Sequence, residues 1–209
     1  MHLTCVNSTK EDVVGIIEDL KAYNIENILA LRGDINPNIP PKNDFKYACQ
    51  LIEFIKARGD FGISAACYPE GHCEAESPEA DIRNLKYKVD MGVDTLVTQL
   101  FFDNTYFYDF MDKARSIGIN VPISAGIMPV TSKKQIERMV ATCGASIPQK
   151  LAKIINKYGE SEAMADAGIA YAVDQIVDLI ANDVEGIHLY TMNNPYVAKK
   201  IYESVINLL

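Results

Sequence analysis

Several short stretches of this 209-residue chain place polar groups where an apolar run ends. ENILALRGD (Glu26–Asp34) runs straight into Arg32, Gly33 and Asp34. A carboxylate placed there either caps a turn or points at a ligand. Gly33 would let backbone approach a ring or phosphate closely. Arg32 suits a structural ion pair or a charged ligand. A second run, ISAAC, ends in YPEGH, which carries Tyr68 and His72. In TLVTQLFF a glutamine, Gln99, interrupts an apolar run; a buried amide must find partners and can both donate and accept. Asp81, Asn84 and Lys88 lie three and then four residues apart, so a helix would present all three on one face. That face is either a solvated ion-pair surface or a set of ligand contacts.

Two other readings of these residues are weak. RGD is an adhesion tripeptide only on a secreted protein, and no secretory n-region or h-region opens the chain. Cys67, His72 and Cys73 lie close in sequence, but their spacing matches no zinc pattern, so no metal is expected. Composition is that of a globular protein: 48% hydrophobic, 23% charged, net charge −8. No long basic cluster supports nucleic-acid binding, and no apolar run is long enough to span a bilayer. Five cysteines without a C-x-x-C pair fit reduced thiols in a cytoplasmic protein.

These residues need strands and helices to position them, and the chain alternates between the two. Strands are expected at His2–Val6, Asn27–Leu31, Gly62–Cys67, Thr95–Phe102, Pro122–Ile127 and Gly186–Thr191. Ser8–Glu11 reads as a capping box opening a helix with Val13, Ile16, Ile17 and Leu20 on one face. Further helices are expected over Asn43–Arg58, from Ser77-Pro78 onward, and over Thr105–Ile117, Ser132–Thr142, Pro148–Tyr158, Glu162–Ile180 and Pro195–Leu209. Apolar strands joined by helices predict a parallel sheet. No G-x-G-x-x-G follows the first strand, which argues against a dinucleotide-binding doubly wound sheet. Polar residues gather after successive strand ends, the habit of a (β/α)8 TIM barrel. Six β/α units are legible, so the expectation is a barrel truncated to strands 3–8, forming a single domain over 1–209.

The ordered motifs HLTC, LRGD, SAACYPEGH, DIRNLKYKVDMG, TQLFFD, GIMPV and HLYTMN together resemble methylenetetrahydrofolate reductase, a flavin-dependent barrel family. The resemblance covers the family's later part; the family's opening strand, with a glutamate that protonates the folate, has no counterpart. It implies hydride transfer through FAD to 5,10-methylenetetrahydrofolate, giving 5-methyltetrahydrofolate. Electrons would come from NADH, NADPH or a protein donor. It also implies a homo-oligomer. By the resemblance, His2, Arg32, Gly33, Asp34, Tyr47, Ala48, Tyr68, His72, Ala75, Asp81, Asn84 and Lys88 contact the flavin, with Lys88 suited to the pyrophosphate. Asp34, Gln99 and Gln135 contact the folate, and Asp34 is the catalytic candidate. Asn194 stands where some members carry arginine. A fragment or partner subunit that needs another chain is the alternative.

Overall fold

The computed structural model describes residues 1–36 and 38–209; Pro37, in the expected Pro-rich loop before Tyr47, lies outside the described residues. The chain runs β1 (His2–Thr4), α1 (Lys10–Ala22), β2 (Asn27–Leu31), α2 (Ala48–Lys56), β3 (Gly62–Cys67), α3 (Pro78–Asp90), β4 (Thr95–Thr98) and α4 (Asn104–Ser116). Then come β5 (Ile123–Ile127), α5 (Lys133–Cys143), α6 (Gln149–Tyr158), α7 (Ala163–Ala181), β6 (Ile187–Leu189), α8 (Pro195–Val205) and a closing 3-10 turn, Ile206–Leu208. The six strands pair in chain order, β1-β2-β3-β4-β5-β6, and every pair is parallel. This is the α/β architecture of the (β/α) barrel type, with the sheet left open between β1 and β6.

The strands obey a period of two. Ile28, Ala30, Ile63, Ala65, Cys67, Leu96, Ile123, Ala125 and Ile127 are buried with the helix residues Val13, Ile17, Leu51, Ile52, Ile55 and Leu179 in one apolar core. Residues of the opposite face, such as His2, Thr4, Leu29, Leu31, Ser64 and Ala66, stay exposed or half-buried. Acidic side chains secure two strand starts: Asp94 accepts from the Ile63 amide at 2.7 Å and Glu185 from the Ile123 amide at 2.6 Å.

A second apolar cluster lies past the ends of β4 and β5. Leu100, Phe102, Met128 and Val130 pack there with Ile136, Leu151, Ile155, Met164 and Tyr171 of α5, α6 and α7. Tyr171 donates to the Phe102 carbonyl at 2.6 Å. Gly168 of α7 lies against the backbone of Val130; a Cβ there would sit 1.8 Å from the Val130 carbonyl oxygen. α7 can approach the GIMPV segment this closely because position 168 has no side chain.

Three boundaries differ from the sequence expectation. The first capping box is Thr9 with Asp12, one residue later than Ser8–Glu11, because the Ser8 hydroxyl donates back to the Thr4 carbonyl. α2 starts at Ala48, five residues late. Asn43 takes φ +65°, Phe45 turns into the core against Phe54, and Gln50 accepts from the Lys46 and Tyr47 amides. β4 stops at Thr98, so Gln99–Phe102 lies outside the strand; Phe101 joins the main core while Leu100 and Phe102 feed the second cluster. Strands β1, β5 and β6 are also shorter than expected by one to three residues.

Two predictions follow from this packing. Gly168→Ala lowers stability by about 1–3 kcal/mol in urea unfolding. Gly15→Ala, in a helix and with nothing within 4 Å of its Cβ, raises it by about 0.4–1 kcal/mol. Equal effects at the two sites would refute the close α7 contact. The second concerns acid. The Thr9 amide, then Lys42 and the Thr9 hydroxyl, pull the Asp12 carboxyl down to about 2. Its depressed folded pKa gives stability that is present above the ordinary carboxylate range, near pH 4, and lost as pH falls toward 2. Asp12→Asn therefore reduces stability at pH 6 and narrows the gap to wild type at low pH, read by far-UV circular dichroism during urea unfolding at each pH.

Candidate active site

Parallel strands open on one rim, and the polar motifs collect there. β2 ends at Leu31, level with Thr4 of β1, and the Arg32 carbonyl accepts from the Cys5 and Val6 amides at 3.1 and 2.8 Å. Gly33 then turns with φ +85°, a conformation L side chains disfavour, and its α-carbon faces the Thr4 side chain at a distance that leaves little room for a Cβ. Asp34, the next residue, is exposed. Burial, then the Asp34 charge, push the thiol of Cys143, the last residue of α5, up.

Arg32 folds toward the loop after β3. It makes a two-pronged ion pair with Glu74, at 2.5 and 2.9 Å. The Glu74 hydrogen bonds raise the arginine's pKa, and the guanidinium holds the Glu74 carboxyl down. The Glu74 amide donates to His72 Nδ1 at 3.0 Å, so a neutral His72 carries its proton on Nε2. The His72 amide donates to Asp81 at 3.1 Å. The Tyr68 ring meets the His72 ring edge-on, 4.6 Å between centroids. Burial, then the Asp81 charge, push the Tyr68 phenol up to about 12, so it is a neutral donor. Ala75 closes the turn, its amide donating to the His72 carbonyl at 2.9 Å.

α3 begins where expected, Ser77 accepting from the Ala80 amide with Pro78 in the first turn. Asp81, Asn84 and Lys88 follow on it. Lys88 reaches inward, its ammonium donating to the Ala66 carbonyl at 2.8 Å. Burial lowers its pKa, against the opposing pull of Cys67 and Asp81. Among the described residues it forms no ion pair. Cys49, in the first turn of α2, adds the weakest of these opposing pulls. Tyr47 is the N-cap of α2, about half exposed, and Ala48 is its first residue.

Arg32, Tyr68, His72, Asp81 and Lys88 thus form one polar group. His2 is set apart from it. The register puts His2 level with Leu29, three residues below Arg32, on the exposed face of β1. The two glutamines line different clefts. Gln99 shares one with Tyr68, Glu70 and Cys143, and its side-chain oxygen accepts from the Leu100 amide at 3.0 Å. Gln135 shares another, of about 250 Å³, with Thr131, Tyr190, Met192 and Asn194. Its oxygen accepts from the amide and hydroxyl of Thr131, both at 2.9 Å. Each glutamine therefore presents an NH2 donor with its oxygen already committed. Asn194 caps α8, accepting from the Val197 amide.

Several contributors escaped sequence reasoning. Glu74 sits in the loop GHCEAESP beside a second glutamate, Glu76, and nothing in the sequence tells the two apart. Glu70 ties the same loop to the segment after α5 by accepting from the Ser146 amide at 3.2 and 3.0 Å. Tyr190 stands inside HLYTMN, yet only the fold shows its hydroxyl donating to the Thr98 carbonyl of β4 at 2.9 Å.

The methylenetetrahydrofolate reductase family model matches residues 1–206. The chain is 37% identical over 214 residues to "Methylenetetrahydrofolate reductase (NADH) 1" of Arabidopsis thaliana, covering 92% of this chain and 35% of that protein. It is 37% identical over 193 residues to "5,10-methylenetetrahydrofolate reductase" of Escherichia coli, covering 92% of this chain and 64% of that one. The chain thus spans under two thirds of the length of these relatives. A structure from Clostridium thermocellum, of a protein that binds two copies of 5-methyl-5,6,7,8-tetrahydrofolic acid, superposes with a TM-score of 0.67 over 100% of this chain and 72% of that one. At 12% identity that likeness speaks to the fold alone. The chain belongs to the methylenetetrahydrofolate reductase family.

Proposed function

We propose that this chain carries the flavin and folate contacts of a methylenetetrahydrofolate reductase, which reduces 5,10-methylenetetrahydrofolate to 5-methyltetrahydrofolate through FAD, with NADH, NADPH or a protein as electron donor. The observation that carries this reading is Lys88: a half-buried lysine whose ammonium is held by a neutral carbonyl suits an anionic ligand. The surrounding donor set fits the flavin. Lys88 would meet its pyrophosphate, with Asn84 and Asp81 on the same helix toward the nucleotide half and the α2 start, Tyr47 and Ala48, alongside. Arg32, Tyr68, His72 and Ala75 would line the remaining flavin contacts, and His2 would reach the flavin from below the rim. Bound FAD supplies the redox chemistry, accepting electrons and delivering a hydride. The protein binds, orients and tunes. Asp34, one residue past a turn that only glycine takes easily, would place a negative charge near the flavin and the folate. Such a charge opposes an anionic reduced ring and lowers the potential. The NH2 groups of Gln99 and Gln135 would donate to acceptor atoms on the folate.

The open sheet supports a second reading. β1 and β6 each keep an unpaired edge, and His2 and Thr4 stay exposed. An unpaired parallel edge favours association, so further β/α units on a partner polypeptide would complete the site.

Two experiments test the proposal. The purified chain is mixed with FAD, desalted and scanned in the visible. Wild type retains flavin bands, and Lys88→Met retains FAD with affinity reduced about tenfold or more, since a charged hydrogen bond is worth about 1.5–3 kcal/mol. Bands equal in both proteins would remove Lys88 from the site. No bands in wild type, restored on adding further β/α units as a second polypeptide, would favour the second reading. In the complete enzyme, Asp34→Asn keeps flavin, raises its potential and slows folate reduction; unchanged potential and kinetics would overturn its role.

A further inference from the structure

Tyr190 is the first residue after β6, and its backbone amide prolongs the ladder by donating to the Ile127 carbonyl at 2.9 Å. Its side chain crosses β5. The hydroxyl donates at 2.9 Å to the Thr98 carbonyl at the end of β4. The strand it crosses is built for this passage. At Gly126 a Cβ would lie 2.8 Å from the Tyr190 ring and 2.3 Å from the Thr98 carbonyl oxygen. The Thr98 hydroxyl, on a fully buried side chain, accepts from the Gly126 amide at 2.8 Å.

The tethered carbonyl belongs to the peptide that joins Thr98 to Gln99. The other end of that peptide is tied too: the Gln99 amide donates to the Cys67 carbonyl at 2.7 Å. A peptide unit is planar. Holding its oxygen from β6 and its N–H from β3 fixes its orientation, and with it the direction in which Gln99 leaves the backbone. The Gln99 oxygen is committed to the Leu100 amide, so the tether also settles where the NH2 donor points. Tyr190 meanwhile lines the cleft that holds Gln135. Burial keeps its phenol neutral, pushed up to about 12, so the donor persists across the working pH range.

We propose that Tyr190 is a positioning residue for substrate, holding the Thr98–Gln99 peptide so that the Gln99 amide meets the folate. The inference rests on the reading of Gln99 as a folate contact. It assigns Tyr190 an action through Gln99 rather than on the ligand.

The test is a double-mutant cycle on the FAD-loaded protein, with Tyr190→Phe, Gln99→Ala and the double variant. Affinity for 5-methyltetrahydrofolate is measured by calorimetry, FAD content by absorbance, and folding by thermal melting. Gln99→Ala and Tyr190→Phe each weaken folate binding about five- to twentyfold, the range of one well-placed hydrogen bond. The double variant binds no more weakly than Gln99→Ala alone, and FAD content is unchanged. Weakening by Gln99→Ala with none by Tyr190→Phe would overturn the positioning role and leave the proposed function standing. Effects that multiply would overturn it as well, by showing that Tyr190 acts independently of Gln99. Wild-type affinity in Gln99→Ala would instead overturn the folate reading of Gln99, and the inference with it.

Discussion

Parallel pairing in chain order is the constraint on which this molecule depends. When β1 to β6 all run the same way, every strand ends on one rim, and each helical connection must return the chain to the other. Residues far apart in sequence then meet without any long-range motif to announce it. Arg32 after β2 pairs with Glu74 after β3, and Tyr190 after β6 reaches Thr98 of β4. The opposite rim carries the structural counterweights, Asp94 and Glu185, which accept from the Ile63 amide at the start of β3 and the Ile123 amide at the start of β5.

The rim is polar and partly closed to water, a combination that demands partners for every group. Backbone supplies most of them. Lys88 takes the Ala66 carbonyl, His72 takes the Glu74 amide, and both glutamines commit their oxygens to neighbouring amides. What remains presented is donor capacity from the glutamine NH2 groups, the neutral Tyr68 phenol and the Lys88 ammonium, together with the exposed carboxylate of Asp34. Donors of this kind suit a ligand rich in acceptor atoms.

Close approach is the second theme of the rim. Gly126 admits the Tyr190 ring and the Thr98 carbonyl, and Gly168 admits the Val130 carbonyl against α7. Both glycines are needed for absence of bulk rather than for an unusual φ. Interiors this tightly packed transmit small displacements. The second apolar cluster under α5, α6 and α7 therefore sets the height of the GIMPV segment and of Gln135 above the sheet.

The sequence by itself determined the alternation of six strands and their helices, the parallel sheet, and the family, because apolar runs with period two and helical stripes with capping residues are local signals. Ser77 caps a helix that its own spacing announces, whereas the capping roles of Ser132 and Asn194 came from the structure. It also set Asp81, Asn84 and Lys88 on one helix, since i, i+3 and i+7 spacing needs no tertiary information. Tertiary structure alone decided the rest. Asn43 lies at a positive φ and Phe45 turns inward, so α2 starts late, and neither fact is visible in a helical pattern. Gln99 looked like a residue inside a strand; it is the first beyond one, because the next three apolar residues divide between two cores. The partners of Arg32 and of Thr98 come from loops 42 and 92 residues away, a separation across which sequence carries no pairing signal. Local periodicity fixes elements, whereas contacts between loops depend on the register of the whole sheet.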